Sequence, residues 1–222
     1  MAKILLTGFE SYGNTPDNPA ESVARKLDGK QFDGSEVIAR IVPNNFFECI
    51  DFVWSSIVET EPDVVVMMGE YPGRAVITVE RIAQNLNDST RYGLADNNGC
   101  SLQGRLTVPD GPAAYYSTLP VRAIVKAMRN SGIPSDISDA AGTFCCNHLM
   151  YGILHRIGLN AMPIRAGWIH LPQLPSVAAL PDNLGTPSMS VETSATGVEI
   201  GLHAILENSR DIEEPIVSRL QI

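Results

Sequence analysis

Residues 64–69 read VVVMMG, an unbroken run of five apolar side chains that ends at a glycine. Residues 4–8 read ILLTG and follow a similar pattern near the start of the chain. Short continuous apolar runs are typical of parallel strands, because helices cover both faces of a parallel sheet. These two stretches therefore predict buried parallel strands and place the chain among α/β proteins.

Helical patterns alternate with the predicted strands. Residues 18–21 read NPAE, which indicates an N-cap asparagine, a first-turn proline and a capping-box glutamate, and the helix should close at Gly29. Further strands are predicted for residues 36–42, 75–82 and 162–169, and further helices for residues 46–59, 121–130, 196–207 and the segment after Cys146. The alternation predicts a three-layer α/β sandwich, with a mostly parallel twisted sheet flanked by helices on both faces.

The chain length fits one domain. Doubly wound sheets often reach 222 residues undivided, so we expect a single domain over residues 1–222, with a C-terminal tail from about residue 209. Two long stretches, 85–114 and 171–190, lack periodicity. Loops of this length in a compact domain usually serve function or contact other subunits.

The charge and the cysteines exclude several classes of partner. A net charge of -9 repels polyanions, so we expect neither nucleic acid nor an anionic membrane as a partner. No stretch approaches the roughly 20 apolar residues of a membrane span, and the opening MAKILLTGFE is too brief for a signal sequence. The cysteines show no CxxC spacing, which favours a reducing cytoplasm over a disulfide framework or a zinc site: Cys49, Cys100, Cys145 and Cys146.

We also expect no cofactor. The loop GFESYG (residues 8–13) follows the first predicted strand and resembles a phosphate-binding loop only superficially. It has neither the GxGxxG spacing of dinucleotide sites nor the lysine of a Walker motif.

Cys146 is the candidate nucleophile. Apolar residues recur at helical spacing after it, which places Cys146 near the start of an amphipathic helix. The positive end of the helix dipole favours a thiolate there, and the free N–H groups of the first turn could hold an oxyanion. The alternative is that Cys146 is a small buried hydrophobe, as most intracellular cysteines are. Cys145 points to a different face and is expected to pack, as is Cys49.

His170 is the best of four candidate bases. It follows the apolar pair Trp168-Ile169 and precedes Leu171-Pro172, where a strand should stop. Ligand sites in open parallel sheets lie at the carboxyl ends of strands. A capped structural histidine is an equally good interpretation of this position on local sequence. The others are expected to face solvent or pack: His148, His155 and His203.

Glu80 lies inside the strand-like run ITVER (residues 77–81), where a buried carboxylate is costly unless it is paired. Pairing with the adjacent Arg81 is one interpretation. Adjacent strand residues point to opposite faces, however, so Glu80 should find its partner elsewhere. Orienting a histidine is one such role.

Four segments, taken together and in order, resemble the pyroglutamyl peptidase I (pyrrolidone-carboxylate peptidase) family. They are LLTGFESYGNTPDNPAE (5–21), GEYPGRAVITVERIAQN (69–85), AGTFCCNHLMY (141–151) and AGWIHLPQLP (166–175). They are similar to the family patterns TGFxPFGxxxxNPS, GxxxGRxxIxxERxAxN, AGxYxCNxxxY and AGFIHxPxLP. The joint match is far more specific than any one motif.

The resemblance implies a cysteine exopeptidase that releases an N-terminal pyroglutamyl residue through an acyl-enzyme. Cys146 takes the nucleophile position, His170 the base and Glu80 the third member. The implied partner is a peptide with N-terminal pyroglutamate, and the implied assembly is a homotetramer. The residues implied to bind substrate are Phe9, Tyr12, Asn18, Glu70, Arg91, Phe144 and Cys145, with Arg91 also implied as a second oxyanion partner.

The departures from the family pattern concentrate in the substrate pocket. Tyr12 replaces Phe, Glu70 stands where Gln is common, Pro72 interrupts a turn of small residues, and Cys145 replaces a small aliphatic. Two alternatives therefore stay open. One is a hydrolase with the same triad that accepts a different N-terminal acyl group, and the other is a catalytically silent protein that binds pyroglutamyl peptides.

Overall fold

The structure is a computed structural model that describes residues 2–13, 15–32 and 34–218. In chain order its strands are β1 (Lys3–Phe9), β2 (Gln31–Phe32), β3 (Ser35–Val42), β4 (Val64–Glu70), β5 (Ile77–Glu80), β6 (Ile82–Gln84), β7 (Ala114–Tyr116), β8 (Ser135–Ser138) and β9 (Arg165–Leu171). Its helices are α1 (Pro19–Leu27), α2 (Glu48–Thr60), α3 (Val121–Asn130), α4 (Cys145–Leu159), α5 (Pro175–Ala178) and α6 (Val191–Glu207).

Seven strands of the described residues form one sheet in the order β2-β3-β1-β4-β9-β5-β8. The central strands β3, β1, β4 and β9 run parallel to one another. β5 runs antiparallel to β9 and parallel to β8, while the edge strand β2 is antiparallel to β3. The predicted mostly parallel sheet is confirmed, with a reversed pair of strands at one side.

Helices cover both faces of this sheet, so the predicted three-layer sandwich is also confirmed. Buried side chains of α1, α3 and α6 pack with Ile4, Leu6 and Val66 on one face. Those of α2 and α4 pack with Leu5, Val65 and Met67 on the other face. The strand residues alternate between the two clusters because successive side chains of a strand point to opposite faces.

The N-terminus of α1 differs in one detail from its prediction. Asn18 is the N-cap, and its side chain accepts a hydrogen bond of 3.0 Å from the N–H of Ala20. Glu21 does not complete a capping box, because its carboxylate instead pairs with Arg25 at 2.8 Å. Gly29 follows the helix with φ of 72°, a left-handed conformation that favours glycine.

Two strand boundaries also differ from the predictions. The predicted strand 75–82 is divided into β5 and β6, because Arg81 lies between them and β6 leaves the sheet to pair with β7. β9 continues to Leu171 instead of stopping at His170. Both of its neighbours extend it, since Leu171 pairs with Glu70 of β4 and His170 with Thr78 of β5.

The C-terminal segment packs beside α3 after α6 ends. The carboxylate of Asp211 accepts hydrogen bonds from the N–H groups of Arg122 (3.0 Å) and Ala123 (3.1 Å), in the first turn of α3. A carboxylate at this position stabilises a helix N-terminus. Of the predicted tail 209–222, residues 219–222 lie outside the described residues.

The helix that carries Cys146 is fixed by a close approach to α2. A Cβ atom at Gly152 of α4 would lie 2.3 Å from Cδ1 of Ile50, so the two helices approach closely only because this residue is glycine. Gly158, one and a half turns later on α4, would meet nothing within 4 Å.

We therefore expect Gly152→Ala to lower the free energy of unfolding by about 1–3 kcal/mol, the usual cost of overpacking a core. Gly158→Ala is the matched control, and it should be neutral or slightly stabilising because alanine is the better helix former. Denaturant midpoints of the two variants provide the measurement. Equal midpoints would show that the α2–α4 contact is loose.

Candidate active site

A cavity of about 130 Å³ opens at the carboxyl ends of β1, β4 and β9. This is where open parallel sheets place their ligands. The cavity is lined by residues from seven parts of the chain: the end of β1 with the loop after it, the segment after β3, the end of β4 with the residues after it, the 85–114 stretch, the segment before α4, the first turn of α4 and the end of β9. These residues are Phe9, Tyr12, Asn18, Asn44, Glu70, Tyr71, Pro72, Tyr92, Leu94, Ala141, Gly142, Thr143, Phe144, Cys146 and His170.

Cys146 lies in the first turn of α4, as predicted. The helix begins at Cys145, and the preceding Phe144 is extended. Gly142 has φ of 79°, a left-handed conformation that lets the chain turn into the helix. The backbone N–H groups of this first turn have no partner within the helix, so they can donate to an anion in the cavity.

Gly69 of β4 makes room for the sulfur of Cys146. A Cβ atom at Gly69 would lie 2.9 Å from Sγ and 2.8 Å from the indole ring of Trp168. Gly69 is also the partner of His170 across the β4–β9 ladder. The sulfur and the imidazole therefore lie at the same end of the cavity.

The imidazole of His170 is held by Glu80. Nδ1 lies 2.8 Å from Oε1 of Glu80, and both side chains are almost fully buried. A carboxylate can only accept a hydrogen bond, so Nδ1 carries the proton and Nε2 carries the free lone pair. Nε2 has no hydrogen-bond partner among the described residues. This is the tautomer that a general base requires.

The reversed strand β5 brings the two residues together. His170 is directly opposite Thr78, and Glu80 is directly opposite Trp168, so all four side chains share one face of the sheet. Glu80 is two residues away from the position directly opposite His170, so the two side chains meet diagonally across the β5–β9 pair. The predicted opposite orientation of Arg81 is observed, since Arg81 is partly exposed and pairs with Asp139 at 2.5 Å.

Glu80 stays ionised although it is buried. Burial alone would raise the pKa of its carboxyl, but the hydrogen bond from His170 and the positive charges of His170 and Arg74 outweigh it and lower the pKa to about 2. Oε1 accepts from three donors: Nδ1 of His170, Nη1 of Arg74 at 2.8 Å and the hydroxyl of Thr78 at 3.2 Å. A buried carboxylate is stable only with such partners.

Burial acts on the thiol and the imidazole as well. It raises the pKa of Cys146, with further contributions from the carboxylates of Glu80 and Glu70, and it lowers the pKa of His170. Both directions favour the neutral forms of the two groups. The thiolate expected from the helix dipole alone is therefore opposed by the enclosure of the site.

Aromatic rings form the walls of the cavity. The ring of Tyr12 lies 6.0 Å from that of Phe144, and Phe9 lies 5.6 Å from Trp168. The ring of Phe46 packs against that of Phe144, with the ring centroids 5.4 Å apart and the rings nearly perpendicular. These contacts fix the rings around an apolar space.

Glu70 is the polar group in this wall. Its side chain is 4% exposed, and neither carboxyl oxygen has a hydrogen-bond partner among the described residues. Burial raises the pKa of Glu70 to about 7, although the neighbouring Tyr12 hydroxyl lowers it in part. The carboxyl is therefore partly protonated at neutral pH.

The structure brings five of the seven predicted substrate-binding residues to the cavity: Phe9, Tyr12, Asn18, Glu70 and Phe144. Asn18 also holds the loop after β1, because its amide donates to the carbonyl of Glu10 at 3.0 Å. Cys145 and Arg91 are not in the cavity wall. Cys145 is fully buried among the side chains of α2 and α4, and Arg91 is exposed beside the ring of Tyr92.

Several cavity residues were not predicted. Asn44 follows β3, and Tyr92 and Leu94 come from the aperiodic stretch 85–114. No local pattern in the sequence marks them, because they reach the cavity only through the folding of long loops. Tyr71 is different, since it directly follows Glu70 and stands 5.2 Å from the ring of His170.

The prediction that His148 faces solvent is wrong. His148 is fully buried, and its Nε2 accepts a hydrogen bond of 2.9 Å from the N–H of Phe47. Its Nδ1 lies 3.0 Å from the hydroxyl of Thr107, and burial lowers its pKa to about 4. This neutral histidine connects α4 to the start of α2 and to the 85–114 loop. His155 is half-buried and bonds to the hydroxyl of Tyr115 at 2.8 Å.

Two kinds of feature are absent from the described part of the chain. No cluster of His, Cys, Asp or Glu in it has the arrangement of a metal site. None of its helices combines the length and the apolar content that crossing a bilayer requires.

Comparisons with known proteins agree with one another. A family model described as pyroglutamyl peptidase matches residues 2–208. The pyrrolidone-carboxylate peptidase of Mycobacterium tuberculosis is 60% identical over 222 residues, which is 100% of both chains. Pyrrolidone-carboxylate peptidase 2 of Photorhabdus laumondii is 43% identical over 209 residues, 94% of each chain.

Solved structures show the same relationship. The crystal structure of the pyroglutamyl peptidase I from Bacillus amyloliquefaciens matches with a TM-score of 0.91 at 33% identity, over 97% of this chain and 100% of that one. A mutant pyrrolidone carboxyl peptidase from Pyrococcus furiosus matches with a TM-score of 0.87 at 35% identity, over 92% and 98% of the two chains. The fold, the sequence identities and the family model that matches residues 2–208 lead to one conclusion: the chain belongs to the pyroglutamyl peptidase family.

Proposed function

We propose that this peptidase releases N-terminal pyroglutamyl residues by a Cys146–His170–Glu80 triad and an acyl-enzyme. One observation carries the proposal: the buried Glu80–His170 hydrogen bond of 2.8 Å leaves Nε2 of His170 without a partner beside the cavity that Cys146 lines. A nucleophile, a base and a group that orients the base are the parts that covalent acyl transfer needs.

In the first step, Nε2 of His170 takes the proton of the Cys146 thiol while the sulfur attacks the pyroglutamyl carbonyl carbon. The carbonyl oxygen becomes an oxyanion and accepts a hydrogen bond from the backbone N–H of Cys146. The imidazolium is stabilised by the carboxylate of Glu80. Because burial favours the neutral thiol and imidazole, the proton transfer accompanies the attack of the sulfur.

In the second step, the imidazolium donates its proton to the nitrogen of the next residue, and the C–N bond breaks. The departing peptide leaves a thioester between Cys146 and the pyroglutamyl group. Water then gives a proton to Nε2 and attacks the thioester carbonyl. The C–S bond breaks, the thiol regains the proton, and free pyroglutamate leaves.

The size of the cavity supports an exopeptidase. Pockets for drug-sized ligands span about 300–1,000 Å³, whereas this cavity holds about 130 Å³. It has room for a small ring. We propose that the faces of the lactam pack between Phe9, Tyr12 and Phe144, and that Asn18 fixes the loop that carries Tyr12. Since Cys145 and Arg91 are outside the cavity, their predicted roles in substrate binding gain no support from their positions.

A second specificity is favoured by Glu70. A pyroglutamyl ring is uncharged, but the ring nitrogen of an N-terminal proline is cationic and would pair with the Glu70 carboxylate. The same triad could then act on prolyl peptides as an alternative substrate class.

The assembly and the compartment are proposals as well. The homotetramer is implied by the family resemblance, and exposed apolar side chains in the two long loops offer contact area, among them Tyr92, Leu106 and Leu184. The cytoplasm is proposed because all four cysteines are free thiols.

We expect Cys146→Ser and His170→Ala to lower kcat/KM on a pyroglutamyl amide by about 10³-fold or more, and Glu80→Gln to lower it less. His155→Ala is the matched control, because this half-buried histidine of α4 lies outside the cavity. Chromophore release under reducing conditions measures the rate, and mass spectrometry of acid-quenched enzyme detects the thioester. Undiminished turnover by Cys146→Ser would exclude the proposed nucleophile.

We expect the alkaline limb of the pH profile to reflect Glu70. As the pH rises through about 7, Glu70 loses its proton, and the new negative charge raises the pKa of Cys146 and opposes the attack. Glu70→Gln keeps the shape without the charge, so activity should persist to higher pH. The control is Glu59→Gln, which changes an exposed carboxylate of α2. An identical alkaline limb in the wild type and Glu70→Gln would contradict this assignment.

A panel of pyroglutamyl, prolyl and free glutaminyl amides should separate the alternatives. We expect rapid cleavage of the pyroglutamyl amide alone. Preferential cleavage of the prolyl amide, abolished by Glu70→Gln, would assign the second specificity. Tight binding of the pyroglutamyl amide without cleavage would indicate a silent binding protein.

A further inference from the structure

Arg74 is a buried cation next to the proposed triad, and it occupies the arginine position of the GxxxGR pattern, for which the sequence indicated no role. It lies in the loop between β4 and β5 with 8% of its side chain exposed. Its Nη1 donates to Oε1 of Glu80 at 2.8 Å and to the hydroxyl of Thr78 at 2.5 Å. Oε1 is also the oxygen that accepts the hydrogen bond from the protonated Nδ1 of His170.

A second contact connects Arg74 to the imidazole. Its guanidinium carbon lies 3.5 Å from the centre of the Tyr71 ring. The Tyr71 ring in turn meets the ring of His170 edge to face, with centroids 5.2 Å apart. Arg74 thus contacts both groups that fix the orientation of His170. A planar guanidinium can donate to a carboxylate and stack on a ring at once, whereas an ammonium cannot.

The charges of the site make this cation important. When the thiol of Cys146 gives its proton to His170, the site holds a thiolate, an imidazolium and the Glu80 carboxylate, with a net charge of −1 before Arg74 is counted. Arg74 brings the sum to zero, and buried charges are tolerated when they are balanced. The positive charge of Arg74 acts to lower the pKa of Cys146, Glu80 and His170 alike, so it favours the thiolate and the carboxylate and disfavours the imidazolium.

We propose that Arg74 is a positioning residue that holds Glu80 and Tyr71 against His170 and balances the charge of the Cys146–His170 ion pair. The inference rests on the proposed triad. Other titratable groups near this ion pair are Glu70 at the end of β4, Tyr12 in the loop after β1, Tyr71, and the buried thiols of Cys49 and Cys145. In a purely structural role, Arg74 would instead only hold the 71–76 loop in place, through its hydrogen bond of 3.3 Å to the carbonyl of Ala140.

The test compares Arg74→Gln and Arg74→Lys with Arg81→Gln as the matched control. Arg81 neighbours Glu80 in sequence and is also ion-paired, but its partner is Asp139 on the surface. The first measurement is the rate of Cys146 alkylation by iodoacetamide as a function of pH, followed at the Cys146 peptide by mass spectrometry. The second is kcat and KM on a pyroglutamyl amide.

For Arg74→Gln we expect kcat to fall about 100-fold with KM nearly unchanged, and the alkylation midpoint to rise by about one pH unit, because the thiolate has lost a cation. Arg74→Lys should keep the wild-type midpoint because it keeps the positive charge. Its kcat should fall about 10-fold, because an ammonium lacks the planar guanidinium that bonds Glu80 and stacks on Tyr71. Arg81→Gln should change neither quantity.

Two results would overturn the proposal in favour of the structural role. One is an unchanged alkylation midpoint in Arg74→Gln, and the other is a KM that rises by as large a factor as kcat falls. If Arg74→Gln does not fold, Arg74→Lys provides the test. An alkylation midpoint raised by about one pH unit in Arg74→Lys, which keeps the positive charge, would show that charge is not what Arg74 supplies. Alkylation needs no turnover, so this result stays separate from a failure of the proposed function, which would appear as an inactive wild type.

Discussion

The hydrogen bond between Glu80 and His170 is the interaction on which the rest of the site depends. It is 2.8 Å long, lies between two side chains with almost no exposure, and fixes which imidazole nitrogen carries the proton. An isolated carboxylate in such a place would be protonated or expelled. Here burial is outweighed, so the carboxylate stays charged and the free nitrogen of the ring faces the cavity.

The direction of β5 fixes the geometry of this interaction. In the antiparallel register, Thr78 is opposite His170 and Glu80 is one diagonal step away. Gly69 has the complementary role on the other side of β9, because its missing side chain leaves the space that the sulfur of Cys146 occupies.

Some buried polar groups of the site have hydrogen-bond partners within the protein, and others have none among the described residues. Asn147 and His148 follow Cys146 in α4, and both are fully buried and hydrogen-bonded to the chain around them. Nε2 of His170 and both oxygens of Glu70 have no such partner among the described residues. Buried polar atoms without partners are costly and are kept where a ligand can supply the missing bonds. The first group holds the framework rigid, and the second marks where substrate chemistry is expected.

The sequence by itself determined the fold class, the position of Cys146 at the start of a helix, and the family, because these depend on local periodicity and on motifs that are contiguous in the chain. It also indicated that Glu80 and Arg81 point apart, since strand geometry alternates. It did not determine that His148 is buried, that Arg91 lies outside the cavity, or that Arg74 contacts Glu80 and Tyr71 contacts His170. Those facts depend on strand order, on the direction of β5 and on the course of the 85–114 loop. Only the tertiary structure decided them, because they arise from contacts between segments far apart in the chain, and the free energy of such contacts leaves no periodic trace in the sequence.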